Sequence, residues 1–97
     1  MIYELINNEP LKRYEFHVEN EIPVIEYILA KNKIFLTHTE VPKTLEGKGI
    51  GSALVKAVLR DIEAKNLTLV PMCPFVAAYI KRHPEWKKLV LKGINVG

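Results

Sequence analysis

This 97-residue chain has a single cysteine, no long apolar run and no large charge excess. The single cysteine, Cys73, excludes an internal disulfide, and the three histidines show no metal-ligand spacing. No apolar run approaches the ~20 residues that cross a bilayer, and Glu4 and Glu9 are atypical of a signal peptide. A net charge of +3 is too small to indicate a nucleic-acid binder. We therefore expect a cytoplasmic protein without a metal site, a membrane or a nucleic acid as partner.

What remains is the composition of one ordinary globular domain spanning residues 1–97. Hydrophobic residues make up 48% and charged residues 26%, which excludes a disordered chain. The charge is unevenly distributed: residues 1–48 hold six Lys/Arg against eight Asp/Glu, and residues 49–97 hold eight against three. The basic second half suits a small polyanionic ligand such as a nucleotide phosphate, or it is an ordinary solvated surface.

Four strand patterns fill the first part of the chain. The clearest alternates, with Tyr14, Phe16 and Val18 on one face and His17 on the solvent face. The predicted strands are 2–6, 12–19, 22–30 and 34–41, with turns at 7–10 and 31–33. Because short turns join them in series, they predict an antiparallel meander.

The period changes from two to 3.6 at Ile50, where apolar residues recur at helical spacing until Asn66 ends the pattern. A short apolar strand follows at 67–71 and a second helix at 75–83, after which Pro84 marks either its end or a further helical segment. A strand, a helix and a strand in this order predict a parallel crossover. The expected fold class is α+β with α/β-like layering, built on a mixed sheet.

A glycine-rich loop joins the fourth strand to the first helix. Gly47, Gly49 and Gly51 permit positive φ and a close approach of the backbone to a ligand. The unpaired N–H groups and the dipole at the helix start favour an anion there, a phosphate or pyrophosphate above all. The spacing matches neither a P-loop nor a dinucleotide-binding fingerprint, and a simple tight turn is the alternative.

Four sequence blocks carry a resemblance to a known family. They are HTEVP at 38–42, GKGIGSAL at 47–54, VPMCPFV at 70–76 and YIKRHPEW at 79–86. In this order, and with these predicted elements, the chain resembles the GNAT superfamily of acetyl-coenzyme A dependent N-acetyltransferases, and within it the small stand-alone members. The resemblance covers nearly the whole chain. It implies a minimal GNAT fold with acetyl-coenzyme A as co-substrate.

The resemblance also implies where the coenzyme lies. Glu46 occupies a position that is usually Gln or Arg in the family's phosphate loop, so its side chain is expected to point away from the pyrophosphate. The implied coenzyme-binding residues are Glu40, Val41, Gly47, Lys48, Gly49, Ile50, Gly51, Ser52, Cys73, Phe75, Tyr79 and Arg82.

Three residues are predicted to carry chemistry. His38 and Cys73 follow at the carboxyl ends of the two parallel strands, and His38 is expected to share the strand face of Ile34 and Leu36. Either His38 acts as a general base on an amine, or Cys73 is acetylated first with His38 assisting. Tyr79 matches the family's tyrosine that protonates the leaving thiolate. Each residue has a structural alternative. His38 is then a half-buried, hydrogen-bonded histidine, Cys73 a small apolar residue that fills space in the core, and Tyr79 a tyrosine that only packs in the second helix.

The acceptor site is the least defined part of the prediction. Larger family members carry two helices between their first two strands, whereas this chain has only residues 7–12 there. The acceptor site is therefore open and unselective, or it is completed by a partner or by dimerisation. The expected function is acetyl transfer from acetyl-coenzyme A to an amine. The alternative is a non-catalytic module that binds coenzyme A or presents an interaction surface.

Overall fold

The computed structural model describes residues 3–96. They form one five-stranded mixed sheet in the order β1-β2-β3-β4-β5, in which β1 to β4 are antiparallel neighbours and β4 and β5 are parallel. The elements are β1 (Ile6–Asn8), β2 (Arg13–Glu15), β3 (Val24–Ala30), β4 (Lys33–Glu40), α1 (Ile50–Ala64), β5 (Thr68–Pro71) and α2 (Pro74–Arg82), with 3₁₀ segments at Lys43–Leu45 and Pro84–Leu89. The predicted α+β fold with a parallel crossover is confirmed.

The first hairpin differs from its prediction. Both asparagines expected in the turn at 7–10 belong to β1, where Asn7 is paired with Tyr14 and Asn8 with Arg13. The turn begins only at Glu9. The predicted strand 2–6 is wrong at residues 3–5, which are not in a strand, and residue 2 lies outside the described residues. Regular pairing of β2 ends at Glu15, earlier than predicted.

The helices pack on one face of the sheet. The buried side chains of α1 are those its period predicts: Ile50, Leu54, Val55, Val58, Leu59 and Ile62. They form a single cluster with Ile34 and Leu36 of β4, with Val76 and Ile80 of α2, and with Trp86 of the second 3₁₀ segment. A continuation of helical structure after Pro84 was one of the two predicted outcomes, and it is the one observed.

A β-bulge in β4 reverses the side-chain alternation near the end of the strand. Tyr27 lies opposite Leu36, but Glu26 lies opposite His38, so one extra residue, Thr37, is accommodated in β4. Residues directly opposite each other share a face, and Tyr27 and Leu36 are on the core face. His38 therefore lies with Glu26 on the other face. The prediction that His38 shares the face of Ile34 and Leu36 is wrong, because strict alternation does not hold across a bulge.

The second face of the sheet carries no helix within residues 3–96. The exposed Ile28 and the polar residues Glu26 and His38 lie on it, and none of them belongs to the buried cluster. Neither described helix is long and apolar enough to cross a membrane. We call this second surface the open face.

Candidate functional site

The glycine loop bends sharply between β4 and α1. After the short 3₁₀ segment the chain passes through Gly47 with φ 80° and Gly49 with φ 74°, and Gly49 is the N-cap of α1. Residues with a side chain rarely adopt such positive φ values. The two glycines therefore allow the turn that brings the loop across the first turn of the helix.

The start of α1 presents backbone N–H groups that have no backbone acceptor among residues 3–96. The N–H of Ala53 donates to the carbonyl of Gly49 at 3.0 Å. The N–H groups of Ile50, Gly51 and Ser52 precede this first helical hydrogen bond and donate to no backbone carbonyl of the described residues. The first turn of α1 contains no acidic residue and no side-chain cap. Free donors at the positive end of a helix dipole are a general arrangement for binding anions in proteins.

A cavity of about 240 Å³ lies against this helix start. It is lined by Val41, Leu45, Glu46, Gly47, Gly49, Ile50, Gly51, Ser52 and Phe75. Seven of the twelve predicted coenzyme-binding residues are thus brought together. The sequence reasoning missed Leu45. An apolar residue directly before the glycine loop indicates a buried side chain under the loop, and Leu45 is only 1% exposed. Glu46, expected to point away, is one of the lining residues.

Phe75 closes the cavity against the helix. A methyl group added at Gly51 would lie 2.9 Å from Cζ of Phe75 and 3.3 Å from Cγ2 of Val41. Only glycine leaves room for the ring to lie this close to the first turn of α1. Phe75 therefore forms an apolar wall of the cavity, as expected of a residue predicted to bind the coenzyme, whereas Trp86 is part of the core.

The two parallel strands separate beside this cavity. Their pairing ends with Leu36 opposite Pro71, and the carbonyl of Leu36 accepts the N–H groups of Met72 at 3.0 Å and Cys73 at 2.9 Å. β4 continues to Glu40, so along its last four residues no strand of the described chain pairs with the edge that faces β5. A gap between the strands results, and Val41 connects it to the cavity.

His38 and Cys73 lie on opposite sides of the sheet. The Sγ of Cys73 donates to Oγ1 of Thr39 at 3.3 Å, and the thiol is buried among the core residues. His38 is half-exposed on the open face, where its Nε2 lies 3.3 Å from Oε1 of Glu40. The hydroxyl of Thr39, rather than the imidazole of His38, is thus the hydrogen-bond partner of Cys73. The two predicted catalytic residues are both at the gap, but they do not form a pair.

The remaining predicted residues lie outside this cavity. Tyr79 is buried in α2, with its ring centroid 4.2 Å from that of His83. Burial, and then the charge of Glu85, raises the pKa of Tyr79, so its hydroxyl keeps its proton at neutral pH. Glu40 and Arg82 are exposed, and Lys48 lines a neighbouring cavity of about 620 Å³.

Comparisons of sequence and of structure relate this chain to known proteins. Residues 13–89 match the family model of GCN5-related N-acetyl-transferase. Protein NATD1 of Xenopus tropicalis is 30% identical over 79 residues, covering 75% of this chain and 72% of the relative, and Protein NATD1 of Gallus gallus is 32% identical, covering 75% and 71%. An NMR solution structure of a GCN5-like protein from Staphylococcus aureus superposes with a TM-score of 0.72 at 25% identity, covering 96% of this chain and 91% of that one.

Proposed function

This chain belongs to the GCN5-related N-acetyltransferase family, and we propose that it binds acetyl-coenzyme A and transfers the acetyl group to an amine. The observation that carries the proposal is the uncapped start of α1, where three unused N–H groups face a glycine-lined cavity next to the gap between β4 and β5.

The residues of the loop fit a pyrophosphate. The N–H groups of Ile50, Gly51 and Ser52 are hydrogen-bond donors without a protein partner within residues 3–96, and phosphate oxygens accept such bonds readily. Lys48 adds a positive charge beside the loop. Glu46 also lines this cavity, and its negative charge near a bound pyrophosphate would weaken binding.

The strand gap suits the pantetheine arm. The unpaired edge of β4 offers backbone groups to an extended ligand, and Val41 and Phe75 provide apolar contacts between the gap and the loop. Acetyl-coenzyme A supplies an activated acetyl group as a thioester. The hydroxyl of Tyr79, protonated at neutral pH, is the proposed acid for the leaving thiolate.

The geometry supports direct transfer rather than an acetyl-cysteine. His38 faces the open side of the gap and can accept a proton from an amine that approaches from there. The Cys73 thiol donates to Thr39 inside the core, and no base among residues 3–96 is hydrogen-bonded to it to generate the nucleophilic thiolate. We therefore propose His38 as the general base and assign Cys73 a packing role.

Native mass spectrometry of the protein with acetyl-coenzyme A tests this function. We expect a one-to-one complex and consumption of the thioester when a panel of primary amines is added. Binding without turnover of any amine would instead support the non-catalytic module. An added acetyl mass on Cys73 would restore the acetyl-cysteine route, and the absence of a complex at millimolar ligand would refute the proposed function.

A further inference from the structure

We propose that the open face of the sheet is the docking surface for the acceptor, and that the acceptor is a lysine of a partner protein with an apolar residue beside it. This inference rests on the proposed function, because it names the substrate class of the same site. Three features of the open face support it: no helix of the described residues covers this face, an apolar row crosses it, and one end of it is acidic.

The first feature is access to the gap. Both helices pack on the core face within the described residues, and the bulge in β4 places His38 on the other side. The coenzyme cavity lies at the start of α1, on the helix side. An acceptor that meets His38 must therefore come from the open face, where neither α1 nor α2 stands in its way.

The second feature is a row of apolar side chains that crosses three strands. Ile28 of β3 lies opposite Phe35 of β4, which in turn lies beside Val70 of β5. Ile28 is 57% exposed, and Phe35 and Val70 are half-buried without joining the core cluster. Two strand spacings make this row about 10 Å wide. It is large enough to hold one or two apolar side chains of a partner.

The third feature is the acidic end of the same face. Glu26 lies opposite His38, and Glu40 is within 3.3 Å of the imidazole. Both carboxylates are exposed, and Glu26 forms no ion pair with any described residue. Arg13 lies directly opposite Glu26 on β2, but its guanidinium is bonded to Glu15. The other carboxylate on this face, Glu15, is already occupied by hydrogen-bond donors on both of its oxygens. Glu26 and Glu40 are therefore the charges available to an incoming ammonium group.

The apolar row and the acidic end together select the chemistry of the partner. Ile28 is two residues from Glu26 on β3, so the apolar row begins about 7 Å from the acidic end. A lysine supplies a cation on a four-carbon stem, and a neighbouring apolar residue of the same segment can cover Ile28 and Phe35. A small diamine would engage the carboxylates alone and leave the apolar row exposed.

Peptides with blocked ends and one lysine test the proposal. One carries leucine on each side of the lysine and the other carries serine, and cadaverine represents a small diamine. We expect kcat/KM to be about 10-fold higher for the leucine peptide than for the serine peptide. Ile28→Thr should reduce this ratio to about 2, whereas Leu11→Thr, at a position that is 58% exposed in the first hairpin turn, should leave it unchanged. Glu26→Gln should weaken both peptides about threefold, whereas Glu4→Gln should weaken neither.

Docking is measured separately from turnover by an NMR titration of the protein with each peptide. We expect the leucine peptide to shift the signals of Ile28, Phe35 and Val70. Equal rates and shifts for the two peptides, or cadaverine as the better substrate, would overturn the proposed docking while the acetyltransferase function stands. Shifts at these residues without turnover of any amine would support docking and refute the function instead.

Discussion

Replacing Glu15 by glutamine should remove a pH-dependent part of the stability. Glu15 is 3% exposed, although it lies on the open face. Its Oε2 accepts bonds from Nδ2 of Asn8 at 2.9 Å and from Nε of Arg13 at 2.6 Å, and its Oε1 lies 2.9 Å from Nε2 of His17. Burial alone would raise the pKa of Glu15, but these hydrogen bonds and the charge of Arg13 outweigh burial and lower the pKa from 4.5 to about 2.

The magnitude follows from this pKa. A fall from 4.5 to about 2 corresponds to roughly 3 kcal/mol, and the partial exposure of Arg13 and His17 reduces our expectation to about 2 kcal/mol. Because the folded state lowers the pKa of Glu15, this stabilisation is complete above about pH 4.5 and is lost as the pH falls towards 2.

Urea unfolding of the wild type and of Glu15→Gln, from pH 7 down to pH 2, measures this contribution. The difference in the free energy of unfolding should fall by about 2 kcal/mol over that range. The matched variant Glu4→Gln, at an exposed position, should show no such change. A difference for Glu15→Gln that is constant with pH would show that the Glu15 carboxylate makes no pH-dependent contribution to stability.

Three further predictions concern the site and the core. Gly49→Ala and Gly93→Ala both place alanine at positive φ, 74° and 93°, and each should cost about 1 kcal/mol of stability. Only Gly49→Ala should weaken acetyl-coenzyme A binding, by about 10-fold in calorimetry. Equal affinities of the two variants for acetyl-coenzyme A would contradict the assignment of the loop as its binding site. His38→Ala should lower kcat about 100-fold, with Cys73→Ala within a few-fold of the wild type, and the reverse order would favour the acetyl-cysteine route. Tyr14→Phe removes a 2.6 Å hydrogen bond to Asp61 and should lower the free energy of unfolding in urea by about 1.5 kcal/mol. A decrease under about 0.5 kcal/mol would show that this hydrogen bond does not stabilise the fold.

Periodicity in the sequence was sufficient to predict the helices and the crossover. The apolar spacing from Ile50 onward identified the buried side of α1, and the change of period at the glycines located the loop. These features depend on local pattern and on backbone preferences, which a single sequence displays directly. The position of the glycine loop could be predicted for the same reason, and its role in binding stays a prediction.

The position of His38 could not be predicted in this way. Its face depends on the bulge at Thr37, and a bulge is set by pairing with the neighbouring strand rather than by the local alternation. The burial of Glu15 was likewise hidden, since a charged residue on a polar strand face is normally exposed. Its burial depends on Asn8 of a neighbouring strand, besides Arg13 and His17 of its own segment.

An NMR titration of the labelled protein with acetyl-coenzyme A measures directly whether the start of α1 binds the pyrophosphate. The amide signals of Gly47 to Ser52 should shift most, together with those of Val41 and Phe75 beside the loop. Saturable shifts at these amides would support the account. Shifts confined to the basic residues near the end of the chain, or no shifts at millimolar ligand, would contradict it.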